Sequence, residues 1–280
     1  MTKLKKPLKI IVIIVLVLAI LIGFLLAPRM FSKPDTTPFN GVMFAHRGYF
    51  DNDSDAPENS LPSFEKAIDK GFGIELDVQL SSDGVAMVFH DADLKRVCGV
   101  EGKIWEYTAE QLKQLKLFDS DCTMPTLQEA MDFIDGRVPV LVEYKMDRVD
   151  TTVCVKGHEI LQNYTGNYLI QSFDPRAVMW YAKNAPQVVR GQLCQEYWKD
   201  EKYAGKPLYL ALTYLVSNVV TRPDFISYKH TDKDNIALNI CRLMGADTAC
   251  WTLRSAEEYA AVKGQFDIYI FDSFDISECE

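Results

Sequence analysis

The chain has 280 residues, of which 48% are hydrophobic, 25% charged and 11% aromatic. These values indicate a folded globular protein and exclude a collagen-like or disordered composition. Residues 1–33 carry six of the 30 basic residues and no acidic residue, so the remainder holds 24 basic against 39 acidic residues, a net charge of −15. A domain this acidic is a poor candidate for binding nucleic acid or anionic membranes through bulk electrostatics.

The first element in chain order is an apolar N-terminal segment. Residues 10–27 are apolar apart from one glycine, and with Leu8 and Lys9 the run reaches the roughly 20 residues that span a bilayer. Four lysines precede this run, whereas only Arg29 and Lys33 follow it closely. That asymmetry predicts a cytosolic N-terminus and an extracytoplasmic remainder.

A cleaved signal peptide is the alternative interpretation of this segment. The apolar core of a signal peptide is usually about 7 to 15 residues long and ends in a small-x-small site, whereas this run is longer and ends in the sequence LLAP. We therefore expect a cytosolic basic N-terminus over 1–8, a transmembrane signal anchor over 9–27, a linker over 28–40 and one globular domain over 41–280. A single span would then hold the domain at the cell membrane.

Short apolar strands alternate with amphipathic helices throughout the domain. The sequence predicts strands over 42–45, 74–78, 138–143, 168–171, 188–193, 224–227, 248–252 and 268–271. Helices are expected over 60–70, 126–134, 149–163, 175–183, 208–216, 232–244 and 255–262.

This alternation predicts a parallel sheet. Eight strand–helix units over residues 41–280 fit an α/β fold of the (β/α)8 TIM-barrel type. The short apolar run 85–89 follows Ser82-Asp83-Gly84, a turn signal, and is interpreted as a hairpin rather than a barrel strand. An open doubly wound sheet is the main alternative, but no glycine-rich phosphate loop follows the first strand.

The seven cysteines are scattered, without a CxxC pair or a Cys/His cluster, which argues against a zinc site. An odd number also fits poorly with a complete disulfide framework. Cys98 with Cys122 is the one pair that we consider for a bridge.

Chemically active side chains cluster at the predicted strand ends, which is where barrel enzymes place their active sites. The set comprises His46 and Arg47 after the first strand, Glu75 and Asp77 on the second, Glu143 and Lys145 on the third, Gln171 on the fourth and Trp251 on the seventh.

Three of these residues suggest a metal site. Glu75 and Asp77 are two residues apart, so their side chains share one face of the strand and point into the barrel. Glu143 joins them from the third strand. Converging carboxylates repel one another unless a cation lies between them, and a hard divalent cation with oxygen ligands is the usual solution. An ordinary salt-bridge network is the alternative.

His46 and His90 are suited to proton transfer, because an unperturbed imidazole titrates near neutral pH. Arg47 and Lys145 would then hold an anionic group, Arg47 through two parallel hydrogen bonds. A metal, two anion-holding cations and two proton carriers together describe phosphoryl-ester chemistry.

A set of motifs in order resembles the glycerophosphodiester phosphodiesterase family. They are HRG at 46–48, PENS at 57–60, ELD at 75–77, DG at 83–84, HD at 90–91, MPTL at 124–127, VEYK at 142–145, SFD at 172–174 and WT at 251–252.

The resemblance implies a (β/α)8 barrel and one divalent cation, Ca²⁺ or Mg²⁺. It assigns the cation to Glu75, Asp77 and Glu143 with Glu58 as a further contributor, acid–base catalysis to His46 and His90, phosphate binding to Arg47 and Lys145, and Trp251 to the substrate pocket.

The chain departs from the family pattern in three places. Residues 49–56 form a longer and acidic segment, Arg254 replaces an asparagine, and the final strand over 267–272 lacks the usual threonine and proline. These differences bear on substrate choice more than on chemistry, because every catalytic position that can be matched is intact.

We therefore expect a membrane-anchored, outward-facing enzyme that converts a glycerophosphodiester to glycerol 3-phosphate and an alcohol. A lysophospholipase D or sphingomyelinase D-like cyclising enzyme acting on membrane lipid is one alternative, and a polyglycerophosphate polymer of the cell envelope is another substrate to consider. A non-catalytic barrel that binds phosphodiesters is the alternative from a different class.

Overall fold

In the computed structural model, which describes residues 6–146 and 150–276, eight parallel strands close into a barrel. A short additional strand, β3, pairs antiparallel with β2. The strands are β1 (Met43–His46), β2 (Gly73–Leu80), β3 (Ala86–Val88), β4 (Val140–Tyr144), β5 (Tyr168–Ser172), β6 (Arg190–Cys194), β7 (Phe225–Lys229), β8 (Asp247–Leu253) and β9 (Ile268–Phe271).

The sheet closes because β1 pairs in parallel with both β2 and β9. The remaining order, β9-β8-β7-β6-β5-β4-β2, follows the chain around the barrel. The predicted (β/α)8 barrel is therefore confirmed and the open doubly wound sheet is wrong. The hairpin predicted over 85–89 is confirmed by β3.

The helices lie outside the ring of strands, and most follow the prediction. They are α1 (Lys6–Leu26), α2 (Leu61–Asp69), α3 (Lys95–Cys98), α4 (Ala109–Leu112), α5 (Leu127–Ile134), α6 (Thr152–Leu161), α7 (Pro175–Asn184), α8 (Pro207–Thr213), α9 (Asn218–Thr221), α10 (Ile236–Leu243) and α11 (Ala256–Ala260).

Some helix boundaries differ from the expectation. The helix predicted over 149–163 is α6, and its first predicted residue lies outside the described residues. The helix predicted over 208–216 is α8, which ends at Thr213, and the one over 232–244 becomes a 3-10 turn (His230–Asp232) followed by α10. The short helices α3, α4 and α9 were not predicted, because four residues carry no periodic signal.

Apolar side chains fill the barrel interior near the end where the parallel strands begin. Gly191 on β6 leaves the space that the Phe225 ring occupies, since a Cβ there would lie 2.2 Å from the ring. The apolar residues that fill this part of the interior are Phe39, Phe44, Leu141, Leu169, Val189, Phe225, Ala249, Ile268 and Ile270.

Helix α1 extends from the barrel with an exposed apolar surface. Residues Leu8–Leu26 are long and apolar enough to cross a membrane, by length and composition. The helix contacts the barrel through its C-terminal end, against α9 and α10. Residues 1–5 of the predicted cytosolic segment lie outside the described residues.

The cysteines within the described residues are free thiols, and Cys98 and Cys122 are among them. The bridge considered for this pair is therefore not formed in the structure. Cys279 lies outside the described residues.

Candidate active site

Three carboxylates form the centre of the site. Strand β2 carries Glu75 and Asp77 on its inward face, and the register with β4 places Glu143 directly beside Asp77. One oxygen of each carboxylate lies within 4.8 Å of an oxygen of the other two. All three side chains are buried. The predicted convergence of these residues is confirmed.

Two cations pair with this acidic trio. The Lys145 ammonium lies 2.9 Å from Asp77 Oδ1 and also bonds Glu143, while Arg47 Nε is 3.5 Å from Asp77 Oδ2. Although burial opposes the shift, Lys145 lowers the pKa of Asp77. Burial and the neighbouring carboxylates raise the pKa of Glu75 well above its usual range.

The donor set fits a divalent cation. Three carboxylates against Arg47 and Lys145 give the cluster a net charge of −1 when every group is ionised. Glu75 Oε1 is buried and has no hydrogen-bond partner, so it offers an unused ligand oxygen. Clustered carboxylate oxygens are the ligands that Ca²⁺ and Mg²⁺ prefer. The ion-pair network that was the alternative is also present, and the two readings share the same side chains.

His46 ends β1 and is held by a carboxylate from the last strand. Its Nδ1 lies 2.6 Å from Oδ1 of Asp272, the residue directly after β9. Because an ionised carboxylate only accepts hydrogen bonds, Nδ1 donates and Nε2 is left for proton exchange. Burial lowers the pKa of His46, with the Asp272 hydrogen bond opposing the shift.

The chain turns sharply after His46. Arg47 has a φ of 58°, in the left-handed region that non-glycine residues rarely adopt. This conformation lets its backbone N–H donate to Glu75 Oε2 over 3.0 Å, while its Nη1 donates to Glu58 Oε1 over 2.7 Å. The strained residue thus connects β1 to the acidic trio.

His90 follows β3 and has an equivalent partner. Its Nδ1 lies 2.7 Å from Oδ1 of Asp91, and Arg96 Nε donates to the other oxygen of Asp91 over 2.6 Å. The buried Gln79 amide donates to the backbone carbonyls of Phe89, His90 and Asp91, which fixes this loop. Both predicted proton carriers therefore have the same histidine–aspartate arrangement.

A cavity of about 130 Å³ joins these parts. It brings together most of the predicted site residues, whereas Asp77 and Glu58 do not line it. The lining residues are His46, Arg47, Glu75, His90, Glu143, Lys145, Gln171, Phe173, Leu193, Trp251, Thr252, Arg254 and Ile270.

A larger cavity of about 910 Å³ adjoins the first, because His90, Glu143, Lys145 and Phe173 line both. Its outer part is aromatic and aliphatic, and the rings of the tyrosines there contact one another. Trp251 meets Phe173 edge to face, with ring centroids 5.2 Å apart, at the boundary of the two cavities. The aromatic and aliphatic residues are Phe173, Tyr197, Tyr203, Leu208, Tyr209 and Leu212.

Glu58 lies outside the acidic trio. Its Oε1 accepts from Arg47 and Arg96, and its Oε2 accepts from Arg96 and Asn52. Although burial opposes the shift, the Arg96 hydrogen bonds and the charge of Arg47 lower the pKa of Glu58 to about 2. Both oxygens of this carboxylate are thus engaged by protein donors.

Several residues of the site were not assigned from the sequence. Asp272 and Asp91 position the two histidines, Arg96 bridges Asp91 and Glu58, and Asn59 Nδ2 donates to Asp77 over 3.0 Å. Asp91 and Asn59 stand within motifs already recognised. Asp272 offered a weaker signal, an acidic residue directly after the last strand.

The comparisons with known proteins agree with this geometry. The profile of the Glycerophosphoryl diester phosphodiesterase family matches residues 46–276. The chain belongs to this family. Membership confirms the predicted family and enzyme class, a phosphodiesterase. It also fits the acidic trio, since the family is metal-dependent.

Individual relatives cover different shares of the chain. The glycerophosphodiester phosphodiesterase of Caldanaerobacter subterraneus subsp. tengcongensis is 30% identical over 192 residues, which cover 60% of this chain and 76% of that protein. The chain spans about half the length of two other relatives. The glycerophosphodiester phosphodiesterase of Bacillus altitudinis is 36% identical, over 37% of this chain and 44% of that protein. Glycerophosphodiester phosphodiesterase 1 of Mus musculus is 31% identical, over 59% of this chain and 52% of that protein.

Solved structures share the barrel. The glycerophosphodiester phosphodiesterase of Thermotoga maritima is 28% identical with a TM-score of 0.65, over 83% of this chain and 94% of that chain. The Oleispira antarctica phosphodiesterase, solved in complex with the product sn-glycerol-3-phosphate, has a TM-score of 0.69 at 22% identity, over 84% of this chain and 94% of that chain. The latter likeness shows the fold.

Proposed function

We propose that this chain is a membrane-anchored glycerophosphodiester phosphodiesterase that releases glycerol 3-phosphate and an alcohol. The observation that carries the proposal is the meeting of two histidine–aspartate pairs and a buried acidic trio at one small cavity. Family membership supports it, as does the product sn-glycerol-3-phosphate bound to the Oleispira antarctica relative.

Glu75, Asp77 and Glu143 would hold one divalent cation, Ca²⁺ or Mg²⁺. When bound, the cation would draw charge from the phosphoryl oxygens and make the phosphorus more electrophilic. It would also change the net charge of the cluster from −1 to +1, which complements the single negative charge of a phosphodiester. Arg47 and Lys145 at the rim of the same cavity would orient the substrate phosphate.

His46 and His90 would transfer the protons of the reaction. One takes a proton from the attacking hydroxyl, and the other protonates the departing alkoxide. Attack by water gives glycerol 3-phosphate directly. Attack by the substrate glycerol hydroxyl gives a cyclic phosphate, which water then opens to glycerol 3-phosphate while the two histidines exchange roles. Asp272 and Asp91 hold the Nδ1 atoms, so each histidine presents Nε2 for this exchange. The shared arrangement makes either histidine competent as acid or base.

The adjoining aromatic cavity would accommodate the part of the substrate beyond the phosphate, and Trp251, which lines the small cavity, would contact the substrate beside Phe173. Its size and apolar lining also favour a second candidate, a lysophospholipase D-like or cyclising activity on lipid substrates that place an acyl chain there. The non-catalytic phosphodiester-binding barrel receives less support, because both predicted proton carriers keep a carboxylate partner.

Helix α1 would hold the enzyme at the cell membrane as a single-pass anchor. The lysines before it and the smaller number of basic residues after it support a cytosolic N-terminus and an extracytoplasmic catalytic domain. Its exposed apolar surface supports contact with lipid.

The test uses the full chain in detergent micelles, with glycerophosphocholine or lysophosphatidylcholine as substrate, before and after treatment with EDTA. We expect glycerol 3-phosphate from glycerophosphocholine, loss of activity with EDTA, and recovery with Ca²⁺ or Mg²⁺. Release of lysophosphatidic or cyclic phosphatidic acid from lysophosphatidylcholine alone would establish the second candidate. Binding of glycerophosphocholine without turnover would establish the non-catalytic barrel.

A further inference from the structure

The C-terminal end of helix α1 is bonded to the barrel. The last carbonyls of a helix lack partners within it. Here Asn218 Nδ2 donates to the carbonyl of Leu26 over 2.9 Å, and Arg222 Nη1 donates to the carbonyls of Phe24 and Ala27 over 3.0 and 2.9 Å. Leu26 and Ala27 are buried, and so is Asn218. The barrel therefore completes the hydrogen bonding of the helix end.

Arg222, which makes this contact, has an unusual backbone conformation where α9 ends. Its φ of 40° lies in the left-handed region, which is unfavourable for a residue with a side chain. The guanidinium also lies 4.8 Å from the centroid of the Phe24 ring, within the range of a cation–π interaction. The charge, the hydrogen bonds and the aromatic contact all converge on the same turn of α1.

The segment after α1 continues along the barrel. The backbone N–H of Arg29 donates to the carbonyl of Pro223 over 2.9 Å, its Nη1 donates to the carbonyl of Pro186 over 2.7 Å, and the same atom lies 3.6 Å from buried Asp224. Lys33 then pairs with Asp247. Residues 28–40, predicted as a linker, are thus packed against the barrel.

All of these partners lie at one end of the barrel. Pro186, Pro223 and Asp247 precede or begin β6, β7 and β8, so they mark the end of the barrel where its parallel strands start, which we call the N-terminal face. His46 and Asp272 lie where β1 and β9 end. A five-residue strand separates the two ends by roughly 17 Å, at about 3.3 Å per residue.

We propose that this attachment is a fixed joint. It turns the N-terminal face toward the bilayer and the mouth of the active site away from it. The enzyme then takes water-soluble or polymeric glycerophosphodiesters from the aqueous side, rather than lipids from the membrane that holds α1. This inference rests on the proposed anchor and the proposed phosphodiesterase function.

Energy transfer in lipid nanodiscs tests the orientation. The full chain carries one fluorescent label, either at Asp93→Cys beside the mouth or at Gln162→Cys after α6 on the N-terminal face, and the lipid carries the acceptor. Both sites are exposed. The labelled proteins share a background in which the partly exposed Cys98 and Cys122 are replaced by serine, as is Cys279 (Cys98→Ser, Cys122→Ser and Cys279→Ser). We expect stronger transfer from position 162. Equal transfer, or stronger transfer from position 93, would overturn the proposal.

The double variant Arg29→Ala/Arg222→Ala tests whether the joint is fixed, with Lys183→Ala as an exposed control. We expect the difference between the two label positions to shrink in the double variant and to persist in the control. An unchanged difference in a folded double variant would reject the joint. Because Arg29 and Arg222 lie outside the active site, hydrolysis of glycerophosphocholine in micelles should stay within about twofold of wild type, which reports folding.

The orientation and the proposed function fail in different ways. Energy transfer requires no turnover, so an inactive protein still reports its orientation. Conversely, an active enzyme whose mouth faces the bilayer would refute the joint and leave the phosphodiesterase intact.

Discussion

Replacing Asp272 with asparagine removes the carboxylate that accepts a hydrogen bond from His46 Nδ1 and leaves the volume of the side chain nearly unchanged. An asparagine amide can donate to Nδ1 instead. That bond would favour the tautomer with its proton on Nε2, the nitrogen that the proposed mechanism uses. Asp272→Asn therefore perturbs the protonation of His46 rather than its packing.

The magnitude follows from the geometry of this pair. The hydrogen bond is short, at 2.6 Å, and the side chains of both partners are at most one-fifth exposed. A hydrogen bond to a charged group contributes about 1.5–3 kcal/mol, and each 1.36 kcal/mol is tenfold in rate, so its loss alone slows the reaction roughly 10- to 150-fold. The equivalent change in a Ser-His-Asp triad lowers kcat about 10⁴-fold, so we expect a total loss of about 10²- to 10⁴-fold.

The assay measures kcat and KM for glycerophosphocholine at saturating divalent cation. The loss should fall on kcat, with KM within about threefold of wild type, because Asp272 does not line the small cavity. The melting temperature checks that the fold is retained. Asp121→Asn is the control, since that exposed carboxylate pairs with Lys116 away from the site.

The pH profile separates a positioning role from a structural one. Burial lowers the pKa of His46 and Asp272 raises it, so removal of the carboxylate should lower the pKa further. The limb of the profile that reports His46 then moves to lower pH. Movement of the acidic limb identifies His46 as the base, and movement of the alkaline limb identifies it as the acid. An unchanged kcat with an unchanged profile would refute the reasoning.

Three further changes probe other parts of the molecule. His90→Ala should lower kcat by about 10²- to 10⁴-fold in a folded protein, and a wild-type rate would contradict the two-histidine mechanism. Glu143→Gln should weaken Ca²⁺ or Mg²⁺ binding on the order of tenfold by titration calorimetry, because one charged ligand is lost. Asn218→Ala should reduce the free energy of unfolding by about 1–3 kcal/mol in denaturant titrations of the full chain, because the buried Leu26 carbonyl keeps only the weak thiol donor of Cys241, and an unchanged value would argue against a bonded helix end.

The acidic trio could be predicted from the sequence because its signal is local. Burying two carboxylates in a strand as apolar as β2 is costly unless Glu75 and Asp77 share a compensating partner. Their spacing of two residues places both side chains on the same face of the strand. Glu143 follows from the rule that parallel barrel strands present their carboxyl ends at one mouth. The exact register of Asp77 beside Glu143 required the structure.

Asp272 and Arg222 escaped prediction because their partners are distant in the sequence. Asp272 meets His46 only when β9 closes against β1, across 226 residues of chain. Arg222 contacts the end of α1, 195 to 198 residues earlier. The hydrophobic periodicity and the composition of a segment describe one helix or strand at a time. They cannot reveal which loop residue forms a hydrogen bond with a strand or helix that is distant in the sequence.

Arg96 shows how the two arms of the site are connected. It lies on the short helix α3 and bonds both Glu58 and Asp91. Glu58 in turn bonds Arg47, and Asp91 bonds His90. A continuous series of hydrogen-bonded side chains therefore joins the proposed phosphate-binding arginine to one of the proposed proton carriers. Removing the carboxylate of Glu58 should therefore disturb both Arg47 and His90.

Glu58→Gln tests this arrangement against the predicted role of Glu58 as a further metal ligand. Both oxygens of Glu58 already accept hydrogen bonds, so we expect the variant to retain cation affinity. Its kcat should fall roughly 10- to 100-fold, because the loss of a charged acceptor weakens the hold on Arg47 and Arg96 by about 1.5–3 kcal/mol. Calorimetry beside Glu143→Gln decides the matter. If both variants lose cation affinity equally, Glu58 is a ligand and the ion-pair role is wrong.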